Sequence, residues 1–504
     1  MDYYLFIWSI ATFIEERLKE GIKHDELEEA VGFSYRHIRE VFRKCTKVTL
    51  AHYILSRKVI NAAFQIVHTQ RSLTSIAADY GFESYDTFTR AFVRVTGATP
   101  SEFRKEHIPV GRRLLVAGTF APAILKDGNE TGRPGFTGVE IDMKQVGRTE
   151  KSCILFGVPK VEYTYEEMTP FPACLRSILN YMGQQIDYSY LMAASGAAFR
   201  LRWNLNCWDG GNVDIQNIYE NRLEPFERSF KAAGRNYSIL LRSNTDKEGF
   251  TKFIKSEIDS GRPVIALGII GPPEACIITG YDDDGDTLLG WNLFQDNPEF
   301  AKDVKLHETG YFICSSWWEN NCTCMVMSVG EETIPSTSRK DIVLNAIDIM
   351  SRKSVSFRNE YTSESQIYTG GQAAYDAWAK AVGNDGEFPE NAILPILFER
   401  IMCQHDAQVM VGEGRSYAAV FMDRLGSDNP AAAKHCGEAA EYFRKAVQCM
   451  HKIDEAKGGY MQTEEVTRKF AQRDVRRQIT ALILEAKQYE AKACECMRKL
   501  ADSL

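Results

Sequence analysis

Residues 75–104 read SIAADYGFESYDTFTRAFVRVTGATPSEFR, and this stretch decides the first part of the fold. Small Ala77 permits two helices to cross closely, and Gly81 supplies the tight turn between them. Ser84 caps the helix that follows, which Phe88 and Phe92 anchor to a core. Thr99-Pro100-Ser101-Glu102-Phe103-Arg104 opens a closing helix, with Pro100 at an early position where its missing N–H costs nothing. Upstream the same design occurs once already. Asp25 to Val31 is a short helix, Gly32-Phe33 a turn, and Ser34 the cap of a helix through Thr46. There Ile38, Val41 and Phe42 fall at i, i+3 and i+4 and face inward. Between the two units, 22–46 and 72–97, a helix over 50–69 buries Ile54, Leu55, Val59, Ala62 and Ile66. The apolar N-terminus makes one more amphipathic helix, with Leu5, Ile7, Trp8, Ile10, Phe13, Ile14 and Leu18 inward.

Charge agrees with a nucleic-acid reader at this end. The whole chain carries −8, but residues 30–105 hold 12 basic against 5 acidic side chains. A basic segment on an acidic chain suits a DNA-reading module joined to one that does not touch DNA.

With its glycine, aromatics and Thr-Pro…Phe-Arg close in register, this stretch of 30 residues resembles the signature of AraC/XylS-type regulators, and residues 1–107 read as a DNA-binding domain of that type. The first unit departs at Glu28, where that family carries a small residue. The resemblance implies an all-α domain with two recognition helices, each entering a major groove, held about one helical turn (~34 Å) apart. It implies double-stranded DNA as partner. Tyr35, Arg36, His37, Arg39, Arg43, Tyr85, Asp86, Thr89 and Arg90 are the candidate base or phosphate contacts, because arginine can bond guanine bidentately. Arg57, Lys58 and Arg94 are expected to touch phosphates, which position without specifying.

At 504 residues the chain exceeds one core, and domains of roughly 100–200 residues suggest about three. No apolar run reaches the ~18 residues that span a bilayer. The N-terminus lacks a basic flank and a small-residue cleavage site, so a signal peptide is not expected and the cytoplasm is the expected location. Thirteen cysteines are scattered without zinc spacing. They read as reduced thiols, with no metal and no cofactor expected.

Residues 108–150 read as a linker or hairpin, and 151–335 as an α+β domain. Thr169-Pro170-Phe171-Pro172-Ala173-Cys174 is a loop entering an amphipathic helix that Gly183 ends. Pro263 to Gly268 and Glu274 to Gly285 form an apolar strand pair that returns through Thr287 to Asn292. Trp317-Trp318-Glu319 is expected to be a strand. The order is similar to papain-like (cysteine-protease-like) domains of bacteriocin-processing peptidases and to the N-terminal domain of the butirosin-pathway acyltransferase. That resemblance implies a nucleophilic Cys at a helix start, a His opening the strand and an Asp or Asn orienting it. Here Pro170 stands at the nucleophile position, Cys174 one turn later, Glu274 in place of the His, and Asn292 at the orienting position. No histidine lies between His107 and His307. Without a nearby imidazole nothing takes the thiol proton, so catalysis is not expected. A silent pocket still binds a small-molecule effector. Phe171, Cys174, Phe199, Trp203, Trp208, Glu274, Tyr281, Trp291 and Asn292 are its candidate lining, and Glu274 would favour a cationic group such as an amine.

Residues 336–504 read as all-α, with helices at 341–352, 371–384, 389–409, 412–425, 429–455 and 463–501. GGQAAYDAWAKAVGN (370–384) resembles the helical partner region of the acyltransferase-like family, and the last two helices read as a long hairpin able to cover the pocket or make a homodimer. The expected function is a sequence-specific regulator whose papain-like domain is a pseudoenzyme that senses a ligand. The alternatives are an active acyltransferase or cysteine hydrolase using Cys174, Glu274 and Asn292, and a regulator whose C-terminal part binds a protein such as RNA polymerase.

Overall fold

A computed structural model describes residues 6–7, 10–11, 13–14, 17–46, 49–68, 71–96, 98–106, 145–161, 167–209, 213–295, 297, 300–301, 304–307, 309–352, 354–358 and 365–501. Most of the expected linker, and Leu5, Trp8 and His107, lie outside these residues.

The first part is helical: α1 (His24–Val31), α2 (Tyr35–Thr46), α3 (Leu50–His68), α4 (Leu73–Asp79), α5 (Tyr85–Thr96) and α6 (Pro100–Glu106). Local chemistry sets the boundaries. Gly32 and Gly81 take φ of 76° and 71°, the left-handed conformation that glycine tolerates best. The Ser72 hydroxyl accepts from Ser75 N at 3.1 Å, and that of Ser84 from Thr87 N at 3.2 Å. Leu27, Val31, Ile38, Phe42, Val59, Ile76, Phe88 and Phe92 are fully buried, as are Ile10 and Ile14 of the N-terminal segment.

An antiparallel sheet follows. β1 (Gln145–Arg148) and β2 (Cys153–Phe156) form a hairpin, so the expected linker ends in a strand. β3 (Arg202–Asn204) belongs to a second sheet. β4 (Ile239–Leu241), β5 (Val264–Leu267), β6 (Ala275–Asp282), β7 (Thr287–Trp291), β8 (Lys305–Leu306), β9 (Phe312–Cys314) and β10 (Met325–Ser328) line up as β4-β10-β5-β6-β7-β9-β8, with β2 pairing to β6. The apolar faces of α7 (Pro170–Tyr181), α8 (Tyr188–Ser195), α9 (Glu224–Ala233) and α10 (Lys247–Asp259) join the sheet in one core. Trp317-Trp318-Glu319 is a turn rather than a strand. Trp317 is fully buried, and its indole N–H donates to Asp286 O at 3.2 Å, fastening the turn beside β7.

The C-terminal region is not all-α. After α11 (Arg339–Ser351), strands β11 (Ser354–Arg358) and β12 (Ser365–Gly370) pair with β3 in a three-stranded sheet ordered β11-β12-β3. Then come α12 (Gly371–Gly383), α13 (Leu394–Asp428), α14 (Ala433–Lys457), α15 (Glu464–Phe470) and α16 (Arg473–Ala501). Two expected helices are one: α13 runs through Gly412 and Gly414. A Cβ on Gly414 would sit 2.9 Å from Ala198 O, so glycine serves close packing there and breaks nothing. Conversely, the single helix expected over 463–501 is two, α15 and α16, interrupted at Ala471-Gln472.

One apolar cluster contains the core of the first domain together with residues of α12 to α16, so the DNA-reading helices and the C-terminal helices share a core. Ile393, just before α13, lies against Gly32, its methyl carbons 2.9 Å from where a Cβ would stand. Arg17 bonds Glu464 of α15 at 2.9 Å.

Candidate functional site

The second helix of each unit presents a polar face away from the core. On α2, Arg36, His37, Arg39 and Arg43 are exposed while Ile38, Val41 and Phe42 are buried. The Arg36 side chain is 88% exposed and bonds Glu40 of its own helix at 3.0 Å. Such a pair contributes little and is easily exchanged for a phosphate or base. Tyr35 is half-buried, stacked on His24 with ring centroids 3.7 Å apart. Glu28 resolves the departure in the first unit by pointing outward, where it accepts from Tyr35 N at 2.5 Å. On α5, Asp86, Arg90 and Arg94 are exposed, and Tyr85 and Thr89 are half-buried. Helix α3 has 19 residues, a rod of about 28 Å at ~1.5 Å per residue.

Two expected phosphate contacts behave differently. Arg57 is 1% exposed within the core, so it cannot reach DNA from this position. Its assignment is corrected: on α3 it falls in the inward stripe with Tyr53 and Asn61, and Asn61 donates to its carbonyl at 3.0 Å. Lys58 is half-buried, and burial lowers its pKa. Its ammonium lies 3.6 Å from a Cβ placed on Gly81, beside the turn of the second unit.

Paired helix–turn–helix units with cationic outer faces define a DNA-binding protein. Comparison with known proteins gives the family. A helix-turn-helix domain profile matches residues 27–106. Regulatory protein SoxS of Salmonella typhimurium is 32% identical over 104 residues, 21% of this chain and 97% of SoxS. Multiple antibiotic resistance protein MarA of Escherichia coli is 31% identical over 109 residues, 22% of this chain and 86% of MarA. A solved AraC-type transcriptional regulator from Chromobacterium violaceum aligns over 21% of this chain and 95% of its own at 22% identity, with a TM-score of 0.20. The chain belongs to the AraC family of DNA-binding transcriptional regulators. Among the described residues no helix is long and apolar enough to cross a membrane.

In the sheet-containing region, Pro170 is the first residue of α7 and Cys174 lies one turn in, fully buried. Burial pushes the thiol well above its usual range, and Cys276 and Glu274 add to the shift. A thiol held protonated is a poor nucleophile. Glu274 stands at the start of β6, its carboxyl pushed up to about 8, first by burial and then by Asp214, against the pull of Arg200. Asn292 is buried but serves its own turn: Nδ2 donates to Gly268 O at 3.0 Å, and Oδ1 accepts from Phe294 N at 2.8 Å.

The aromatic residues expected to line one pocket are dispersed. Phe171 meets Phe226 and Phe230, and Phe199 meets Phe443. Trp203 meets Trp208 and Trp378, and Trp291 meets Tyr311. The Tyr281 hydroxyl donates to Asp259 at 2.9 Å near the far end of β6. Of the expected lining, Trp203 and Trp208 meet with ring centroids 5.2 Å apart, and Glu274 lies close enough to Cys174 to add to the upward shift of its thiol.

Three acids that sequence reasoning missed lie within electrostatic reach of Glu274 or of one another. Asp214 caps a short 3₁₀ turn, Asp209 follows β3, and Asp406 comes from α13. Asp406 is 2% exposed, and burial raises its pKa well above normal, with Asp209 and Glu274 adding and Arg200 opposing. The Arg200 guanidinium donates to Ala197 O at 2.9 Å, Val213 O at 3.2 Å and Thr169 Oγ1 at 3.2 Å, so its hydrogen bonds go to other groups than these carboxylates. Fully buried Arg415 bonds Glu490 of α16, with Nε 2.7 Å from Oε2, and also donates to Arg200 O at 2.6 Å. The one signal for Asp406 in the sequence was Gln404-His405-Asp406 within an otherwise apolar helical turn. Asp209 and Asp214 sit in loops with nothing to distinguish them from solvated acids.

Proposed function

We propose that this AraC-family regulator binds a small molecule in a catalytically silent, papain-like α+β domain, and that occupancy biases the DNA-reading helices. One observation carries the proposal: α13 bears Asp406, within electrostatic reach of Glu274, and begins at Leu394, next to Ile393, which lies against the first helix–turn–helix turn at Gly32. The 12 residues between span about 18 Å of helix at ~1.5 Å each. A ligand that prefers one placement of Asp406 thereby has a differential interaction with two placements of the reader, which regulation through linkage requires. Silence of the chemistry is supported by proline at the nucleophile position, glutamate in place of histidine, and the protonated, buried thiol of Cys174.

The test is a footprint with the full chain. Protection should cover two adjacent major grooves and weaken steeply as salt rises from 50 to 200 mM, as expected of multiple phosphate contacts. Protection should change when a ligand recovered from the purified protein by mass spectrometry is added back. Absence of a footprint at low salt sinks DNA reading, whereas a footprint indifferent to that ligand sinks sensing. Turnover of an acyl or amide substrate, lost on Cys174→Ala, would restore the enzyme alternative.

A further inference from the structure

A cavity of about 450 Å³ lies between α13 and α14, lined also by Tyr460 and by Met168, which stands two residues before α7. Its size falls in the ~300–1,000 Å³ range of small-molecule sites. The wall on α13 follows one stripe of the helix, with Gln408, Gly412, Ser416 and Val420 recurring every fourth residue. That stripe is about 18 Å long at ~1.5 Å per residue.

Two features of the stripe are not explained by packing. Gly412 sits deep inside a 35-residue helix, where glycine is less favourable than alanine. A Cβ there would find nothing within 4 Å, in contrast to Gly414, so no neighbour demands glycine and its effect is to leave the cavity open. His405 lies one turn before Gln408 and Val409 on the same stripe. It is 1% exposed, and neither ring nitrogen has a hydrogen-bond partner. Its ring meets that of Tyr460, a lining residue, edge to face with centroids 4.7 Å apart. Burial, and then the charge of Lys457, hold the imidazole neutral, with one donor and one acceptor to offer. Leaving both unmet costs stability that an occupant would restore.

The acids of the wall, by contrast, are engaged within the protein. Glu413 accepts from Met168 N at 2.6 Å, Thr169 Oγ1 at 2.7 Å and the Tyr188 hydroxyl at 2.8 Å. Asp454 lies 3.0 Å from Lys457 Nζ, which also donates to Gln408 Oε1 at 3.1 Å. Among the described residues no lysine or arginine lines the cavity. A charged ligand of either sign would therefore leave water without gaining a counter-charge. Met168, Met450, Tyr417 and Val447 offer an adaptable apolar wall instead.

We propose that this cavity is a binding site for an uncharged, largely apolar small molecule that lies along α13 with its one hydrogen-bonding head toward His405. Gly412 provides the room, and Tyr460 is the side chain the head passes to reach the imidazole. The site joins the segment before α7 to the helix that begins beside the DNA reader. Binding here stands independently of the reading above, and only its effect on DNA rests on that reading.

The experiment is equilibrium binding to the full chain at pH 7, by calorimetry and melting shift. The probes are 1-decanol, 2-naphthol, decanoate, decylamine and naphthalene. Decanol should bind at least about tenfold more tightly than decanoate or decylamine, and 2-naphthol several-fold more tightly than naphthalene. His405→Leu should erase the preference for 2-naphthol over naphthalene, leave naphthalene binding intact and raise the melting temperature of the ligand-free chain. Gly412→Leu should fill the cavity and weaken both alcohols at least about tenfold without lowering the melting temperature. If that variant fails to fold, Val447→Phe fills the same space from α14. Failure of both alcohols to bind, equal binding of the charged chains, cavity-filling variants that bind unchanged, or a hydroxyl preference that survives His405→Leu would each overturn the assignment. Binding that leaves the DNA footprint unaltered upholds the site and removes its regulatory role. A footprint that answers some other recovered ligand, with the alcohols inert, overturns the site and leaves sensing in place.

Discussion

At the scale of single residues, position on a helix separates arginines that sequence alone makes equivalent. Arg36 and Arg90 point to solvent, so alanine at either should cost specific DNA affinity about 1–3 kcal/mol if the contact is bidentate to guanine, measured by competition binding. Folding should be unchanged by either. Arg57→Ala should do the opposite, lowering the melting temperature while specific contacts persist, because that side chain is enclosed by α3 and its neighbours. Glu274 makes a pH prediction. Its folded pKa is about 8 against an ordinary 4.5. A raised acid contributes stability that is full below about pH 4.5 and is lost as the pH rises to and through about 8. Glu274→Gln should therefore stabilise the ligand-free protein at pH 8.5, by on the order of 1 kcal/mol. It should change little at pH 4.5. A variant equally affected at both values would show that the carboxyl titrates normally.

Elements show where sequence reasoning succeeds. Each helix of the first domain was legible because its signals are local: a capping serine, a left-handed glycine, and phenylalanines four residues apart. Strands β5 to β7 were legible as short apolar runs with an acidic turn between them. What was not legible depended on distant partners. Strands β11 and β12 are ordinary segments until β3 provides an edge, and α13 looked like two helices because its glycines suggest a break that tertiary packing overrides. The site was read in part, with Cys174 and Glu274 found as neighbours and Asp209, Asp214 and Asp406 missed, since their electrostatic reach is a property of the chain folded back on itself. The Arg415–Glu490 pair could not be foreseen either. Removing one partner, as in Arg415→Ala, should cost about 3–5 kcal/mol by leaving a buried charge unmet. Replacing both, as in Arg415→Met with Glu490→Leu, should recover most of that in a denaturant titration. If the double variant is no better than the single, the pair contributes more than mutual compensation.

At the scale of the whole molecule, the DNA reader is not a bead on a string. It shares an apolar core with the C-terminal helices and is fastened to them at Gly32 and Arg17. Gly32→Val would meet Ile393 and force a β-branched residue into a left-handed φ, a strain of about 1–2 kcal/mol from the backbone alone. It should loosen the reader from the helices, seen as faster amide exchange at both surfaces, while Ile393→Ala in the same chain should relieve the clash but not the strain. A continuous helix between Asp406 and that contact also sets a rule of phase. Inserting one residue between Leu394 and Asp406 would turn one end against the other by about 100° and lengthen the rod by about 1.5 Å. Over evolutionary time, descendants of this chain should exchange residue types along that stretch well before they tolerate a change in its length.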